Sequence, residues 1–327
     1  EYVELIMPYQ HFEVTKEQPN IGATISGIDL NNVKSEAVFT EIRQALIEFG
    51  VIFFRDQDIT HDAHVDLARA IGSPEVHEFF PNIESNKEIS IIAQPPNLNN
   101  APVGNTGTDI WHADVTFRDE PSLASILRGV DIPFGGDTMW VNMHAAYNNL
   151  PQKVKEILQG LSAEHDILAN PALRRYKLET SGPEGLAKLA KERPPTVHPV
   201  VIAHPISGKP VLYVNSIWTS RIIDIPEALG DAILKWLYEM PKLPEFQVRF
   251  EWQANSIAIW DNFTTQHYAV NDYRDYREMQ RVVVSGMRPT AYDMATPYSE
   301  ALPSFVDAPS MALNSDSQKD AIKLLFA

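Results

Sequence analysis

Trp111-His112-Ala113-Asp114-Val115-Thr116-Phe117 and the later Ile257-Ala258-Ile259-Trp260-Asp261-Asn262-Phe263-Thr264-Thr265-Gln266-His267 are the stretches on which the reading of this chain turns. In an extended segment, positions i and i+2 face the same way. His112 and Asp114 can therefore meet one ion while Ala113 points elsewhere. His267 has to arrive from a distant strand or loop. Two imidazoles and one carboxylate are the ligand set of a facial triad, which holds Fe(II) on one side and leaves adjacent positions open for oxygen chemistry. A His-x-Asp pair alone is more often a surface hydrogen bond, so the surrounding sequence has to decide.

Around these stretches the sequence alternates or runs apolar in short blocks. Strands are expected at Ile21–Leu30, Val51–Phe54, Ile89–Ile92, Leu123–Leu127, Val200–Ala203, Val211–Val214, Phe246–Glu251, Ile257–Ile259 and Val282–Ser285. Helical spacing of Val38, Ile42, Ala45, Leu46 and Phe49, between Ser35 and Gly50, predicts a capped helix. Further helices are predicted over Thr60–Ile71, Met143–Asn149, Gln152–Leu161 and Pro226–Tyr238, with a short terminal one over Ser315–Ala327. Strands surround the ligand candidates and helices are peripheral. The expected fold is therefore mainly β with flanking helices (α+β), a double-stranded β-helix or jelly roll. The 24 prolines punctuate connections without dividing the chain, so residues 1–327 are expected to form one domain. Lys177–Pro195 is charged and bears Gly and Pro, which marks it as a candidate insertion or lid; residues 290–327 read as a C-terminal extension.

The chain contains no cysteine, which excludes disulfides, thiolate nucleophiles and Cys-ligated clusters. Its formal charge of −16 opposes binding to nucleic acid or to an anionic membrane. No apolar run approaches the roughly 18–20 residues that a span requires. Glu1-Tyr2-Val3-Glu4 lacks the basic start of a secretory signal, and a cytoplasmic location is expected. A homo-oligomer, dimer or tetramer, is expected as well.

Arg277 and Arg281 stand four apart on an apolar segment that ends in Val282-Val283-Val284. The spacing places both on one face, where burial is unfavourable unless each meets an anion. The plain alternative is a pair of surface arginines. The chemical one is two clamps for carboxylate or sulfonate, using the planar fork of the guanidinium. Gly135-Gly136-Asp137-Thr138 is a turn of little weight alone. His198-Pro199 and His204-Pro205 are expected at strand ends rather than on metal.

Taken in order, Trp111–Phe117, Gly135–Thr138, Leu161-Ser162-Ala163-Glu164-His165-Asp166, His198-Pro199-Val200-Val201 and Ile257 through His267-Tyr268-Ala269 closely resemble the taurine dioxygenase (TauD/TfdA) family. Its members are Fe(II)- and 2-oxoglutarate-dependent oxygenases, and the resemblance runs from about Ile21 to Arg288. It implies that His112, Asp114 and His267 hold Fe(2+), and that Arg277 and Thr138 bind the distal carboxylate of 2-oxoglutarate, with O2 as oxidant. Arg281, His77 and the backbone amide of Val115 would then face a small anionic substrate. Phe80 stands where the taurine enzyme has a tyrosine. Trp218 stands at a substrate-facing phenylalanine, and Gly107-Thr108 near an Asp-Asn pair that meets the taurine amine. The spacing from His267 to the arginines is one residue shorter, which puts the loop Asn271–Tyr276 in question.

The anion end is thus kept and the amine partner lost, so an alkyl sulfonate or sulfate ester is the expected substrate. Its hydroxylated product would collapse to an aldehyde, with succinate and CO2 released. An aryloxyalkanoate or other carboxylate is the second expectation. A non-catalytic jelly-roll binding protein or a zinc hydrolase is the reading from a different class. An intact Asp114 argues against a halogenase, which needs that position for chloride.

Overall fold

The computed structural model describes residues 9–77, 80–96, 109–296 and 298. The chain opens with an antiparallel pair, β1 (Glu13–Lys16) and β2 (Ala23–Ser26). Helix α1 (Glu36–Phe49) follows, with Ser35 at its N-cap as expected. Gly50 ends it with φ of 72°, donating its N–H to the carbonyl of Leu46. Strand β3 (Val51–Phe54) leads to α2 (His61–Ile71), where the Thr60 hydroxyl accepts from the Ala63 amide. Next come β4 (Pro74–Glu75), β5 (Ile89–Gln94), β6 (Ala124–Asp131), β7 (Thr138–Asn142), α3 (Met143–Asn148), α4 (Gln152–Leu158) and β8 (Ser162–His165). Helix α5 (Pro171–Glu192) precedes β9 (Thr196–Pro199), β10 (Val201–Ala203), β11 (Pro210–Leu212) and β12 (Thr219–Ile222). Helix α6 (Glu227–Leu237) and strands β13 (Gln247–Phe250), β14 (Ile257–Asp261), β15 (Thr265–Ala269), β16 (Arg277–Val284) and β17 (Thr290–Ala291) complete the described chain.

Eight strands form the large sheet, in the order β1-β2-β3-β14-β6-β16-β4, with β5 also paired to β16. Three smaller sheets accompany it, among them β13-β7-β15. The central strands of the large sheet are buried on both faces, which is why Val51-Ile52-Phe53-Phe54 reads as an unbroken run. Ile52, Phe54, Ile257, Ile259, Ile126, Val282 and Val284 point to one side, into a core shared with α1 and α2. Val51, Phe53, Ala258, Trp260, Leu127 and Met279 point to the other, where they meet Trp140, Val248 and Phe250 of the β13-β7-β15 sheet. This second core is the interior of the double sheet, and the jelly roll expected from sequence is what the strands form.

Phe53 joins the two layers. Its ring stacks on Phe250 at 4.2 Å and meets the edge of Trp140 at 5.5 Å. Phe53→Ala should therefore cost about 3–5 kcal/mol of stability, the range for emptying a buried aromatic site. Urea denaturation checks this, and a loss below about 1 kcal/mol would mean that the two layers do not depend on this contact.

Lys177–Pro195, expected as a Gly- and Pro-bearing insertion or lid, lies mostly within α5. Asn170 caps that helix by accepting from the amides of Ala172 and Leu173, with Pro171 in its first turn. Gly182 (φ 64°) and Pro183 kink the helix rather than end it, because proline is tolerated where a new helical segment starts. Leu173 and Leu189 of α5 pack on a small core of Val115, Phe117 and Ile167. Strands β1, β4, β7, β8, β9, β12, β15 and β17 went unread in the sequence, since each is short and carries polar or charged residues. The terminal helix expected at Ser315–Ala327 lies outside the described residues.

Candidate metal centre

His112 and His267 are brought together by the backbone. His112 N–H donates to the His267 carbonyl at 3.1 Å and His267 N–H returns to the His112 carbonyl at 2.7 Å. His267 lies on β15, opposite Trp140 of β7, so the His112 segment adds an edge to the small sheet. Asp114 differs from the expectation of a continuing strand. It opens a turn in which Val115 has a φ of 49°. A β-branched residue held in that region stores on the order of 1–3 kcal/mol of strain, sustained here by its surroundings.

The turn still delivers the carboxylate. Asp114 Oδ1 lies 3.9 Å from Nε2 of His112 and 3.9 Å from Nε2 of His267. All three ligand atoms lie within 4.8 Å of one another, which fits a single ion placed between them. His112 Nδ1 lies 2.7 Å from the Ile110 carbonyl, so that nitrogen carries the proton and Nε2 presents its lone pair inward. The second Asp114 oxygen accepts from Arg281 Nη1 at 3.3 Å and from the Ser125 hydroxyl at 3.4 Å.

Electrostatics suit a cation. Burial lowers the pKa of both imidazoles, His267 to about 3. They are neutral near pH 7, as ligands must be. Burial alone would raise the Asp114 carboxyl, but Arg281, His267 and His112 outweigh it and hold it well below the usual carboxylate range. Of these three, only Arg281 is a permanent cation, so it is the decisive one. An ionised carboxylate beside two neutral imidazoles is the donor set of a divalent metal.

Period-two alternation puts Arg277, Met279 and Arg281 on the inward face of β16, as their spacing predicted. Both arginines are buried, and the Nε–H of each has no acceptor among the described residues. Arg277 donates from Nη2 to the Gly136 carbonyl at 3.1 Å and lies over the Tyr273 ring at 5.4 Å. Burial lowers the pKa of its guanidinium, which Tyr273 and Asp137 partly offset. Gly136 has a φ of 74°, and a Cβ there would stand 2.8 Å from Tyr273 and 3.1 Å from Arg277. Only glycine allows this close approach. Asp272 accepts from the Gly136 amide at 2.8 Å, so the loop 271–276 is tied to the Gly135–Gly136 turn. Thr138 accepts from the Trp252 indole N–H at 2.9 Å, which leaves its own hydroxyl hydrogen to donate.

His77 and Phe80 approach Arg281 on the other side. Arg281 lies 5.3 Å from the Phe80 ring centre, and the His77 ring lies 5.1 Å from it. Burial first, then Arg281, lowers the His77 pKa to about 4. Trp218 donates its indole N–H to the Ala113 carbonyl at 3.1 Å and rests edge-on against Phe117 at 4.8 Å. Val115 is buried in the same small core. Thr108, the remaining substrate candidate, lies outside the described residues, as does Gly107. His198 and His204 stand at strand ends as expected. His198 Nε2 lies against the Thr116 and Arg118 carbonyls, and His204 Nε2 is 2.7 Å from Asp261.

Sequence reasoning gave no role to Asn262, Ser125, Trp252 or Tyr273, all of which touch proposed site residues. Asn262 stood inside the quoted Trp260-Asp261-Asn262 stretch, but its partners are remote in sequence.

The chain resembles known proteins over most of its length. The model of the "Taurine catabolism dioxygenase TauD, TfdA family" matches residues 13–283. The chain is 35% identical over 286 residues to an alkylsulfatase of Acinetobacter baylyi, spanning 85% of this chain and 86% of that protein. It is 34% identical over 286 residues to an alpha-ketoglutarate-dependent sulfate ester dioxygenase of Pseudomonas putida, spanning 84% and 89%. The crystal structure of a taurine dioxygenase from Burkholderia xenovorans superposes with a TM-score of 0.72 at 31% identity, covering 93% of this chain and 100% of that one. Among the described residues no helix is long and apolar enough to cross a membrane. The chain belongs to the TauD/TfdA family and is an alpha-ketoglutarate-dependent dioxygenase.

Proposed function

We propose that His112, Asp114 and His267 bind the Fe(II), that Arg277 and Thr138 bind 2-oxoglutarate, and that the enzyme oxidises an alkyl sulfate ester or alkyl sulfonate. The observation that carries the substrate reading is the setting of Arg281: a buried guanidinium whose Nε–H has no acceptor among the described residues, flanked by His77 and Phe80. An anionic head group can take the remaining Arg281 donors. Trp218 spends its only polar hydrogen on Ala113, so it offers a substrate carbon alone. Phe80, Trp218, Phe117 and Val115 carry no charge, so among the described residues these four side chains offer an ammonium no counter-ion. The Acinetobacter and Pseudomonas relatives carry names that refer to sulfate esters.

Bound iron with 2-oxoglutarate supplies the oxidising chemistry: O2 is consumed, succinate and CO2 are released, and one oxygen atom enters a substrate C–H bond. The chain supplies position. Arg277 and Thr138 hold the far carboxylate of the co-substrate by charge and by a donated hydroxyl proton. Arg281 and His77 hold the anion so that the carbon bearing it faces the centre. A hydroxyl on that carbon gives R–CH(OH)–OSO3−, which loses hydrogen sulfate to leave R–CHO.

O2-dependent succinate formation, measured with medium-chain alkyl sulfates, alkanesulfonates, taurine and phenoxyacetate, tests the reading. Alkyl sulfates or sulfonates should be preferred. A preference for taurine would overturn the argument from Trp218 and Phe80, and a preference for phenoxyacetate would move the substrate to the carboxylate class. Arg281→Lys should raise KM for the alkyl sulfate about 10- to 150-fold, from roughly 1.5–3 kcal/mol for a lost charge-assisted bond, with KM for 2-oxoglutarate little changed.

A further inference from the structure

Two neighbouring residues sit where the chain leaves the large sheet and enters the small one. Asp261 ends β14, and β15 starts at Thr265. Asp261 Oδ1 accepts from the amides of Phe263 at 2.8 Å and Thr264 at 3.0 Å, and its carbonyl accepts from the Thr265 hydroxyl at 2.7 Å. That closes the turn which sends β15 back toward His267. Asn262 then faces the other ligand loop. Its Oδ1 accepts from the Asp114 amide at 2.7 Å, and its Nδ2 donates to the Asp114 carbonyl at 3.0 Å and the Ser122 carbonyl at 2.9 Å. Its own backbone N–H is bound to the Leu123 carbonyl at 2.9 Å, and the residue is fully buried.

The side-chain amide thus pairs with both polar groups of the Asp114 backbone, as a neighbouring strand would. Among the described residues no strand does so, because Asp114 has already turned away and Val115 sits at φ 49°. Local backbone preference does not favour that turn. Something outside it has to hold Asp114 in place, and the hydrogen bonds from Asn262 do so across 148 residues of sequence. Asp114 is then gripped twice, by Asn262 at the backbone and by Arg281 at the second carboxylate oxygen, with Oδ1 left to face the two imidazoles.

We infer that Asn262 is a positioning residue for the metal centre, setting the place of the Asp114 carboxylate and through it the affinity for the ion. This rests on Asp114 being a ligand. Groups that orient metal ligands typically change affinity by about 10- to 100-fold when removed.

The test is a double-mutant cycle read by anaerobic Fe(II) binding and by the Mn(II) EPR spectrum of the whole protein, which report the site without turnover. Asn262→Ala should weaken metal binding about 10- to 100-fold and broaden the Mn(II) signal. In an Asp114→Ala background the same change should have little further effect, since the residue it positions is gone. Asn262→Asp keeps the shape and the acceptor but sets a carboxylate oxygen against two carbonyls, and should weaken binding as well. Three outcomes would overturn the inference: wild-type affinity in Asn262→Ala, full additivity with Asp114→Ala, or unfolding of both Asn262 variants, which would assign the residue to the fold alone. Wild-type affinity in Asp114→Ala would instead reject the ligand assignment, so the two failures are distinguishable.

Discussion

His267→Ala is expected to abolish succinate formation while leaving a folded protein. The imidazole is buried, neutral and without a partner for Nδ1 among the described residues. In the apo protein it therefore contributes little net hydrogen-bonding stability, and its place in the fold is held by backbone bonds to His112 that alanine keeps. What alanine removes is one of the three donors proposed for the ion. The decisive measurement is thermal unfolding under anaerobic conditions with and without Fe(II). A ligand that binds only the native state stabilises it by about 2.7 kcal/mol at a concentration 100 times its Kd. Wild-type protein should show such a shift, and His267→Ala should show a much smaller one at equal metal concentration. Succinate formation at more than a trace in the variant would sink the assignment of His267 as a ligand.

The second large effect belongs to Arg277. Lysine there keeps the charge but not the planar fork, and it leaves the Gly136 carbonyl and the co-substrate carboxylate competing for one ammonium. Disrupting a buried charge pair costs roughly 2–5 kcal/mol, which corresponds to about 30- to 5,000-fold in KM for 2-oxoglutarate. KM for the sulfate or sulfonate substrate should move far less, because that end is the one we propose for Arg281. Steady-state kinetics with each substrate varied in turn separates the two. A shift in the oxidised substrate's KM with 2-oxoglutarate unaffected would exchange the proposed roles of the arginines. Replacing Gly136 would bring the same loss indirectly, since any Cβ there meets Tyr273 and the Arg277 guanidinium.

Much of the site was legible in the sequence because its signals are local. His112 and Asp114 lie two apart and Arg277 and Arg281 four apart on an apolar strand; the arginine spacing states a shared face whatever the partner is, whereas a turn rather than strand alternation delivers the Asp114 carboxylate. Helix α1 was readable for the same reason, with its apolar spacing and Gly50 stop contained in one segment. Helix α5 was not legible because Gly182-Pro183 is a strong break signal, and the packing of Leu173 and Leu189 against the Val115–Phe117–Ile167 core lies outside local sequence. Strands β7 and β15 were missed because polar residues such as Thr138, Asn142 and Gln266 interrupt their alternation, although tertiary burial makes them part of the ligand-bearing sheet.

The sequence by itself determined the donor types, the shared face of the two arginines and a jelly roll that could bring them together. Only the tertiary structure decided which atoms meet: the His112–His267 backbone bridge, the turn that carries Asp114 out of strand geometry, the Asn262 amide across it and the Arg281 grip on its second oxygen. Periodicity is written in neighbouring residues and survives without a partner. Pairing between remote segments depends on sheet register, which is settled when both faces of the large sheet bury their apolar side chains at once.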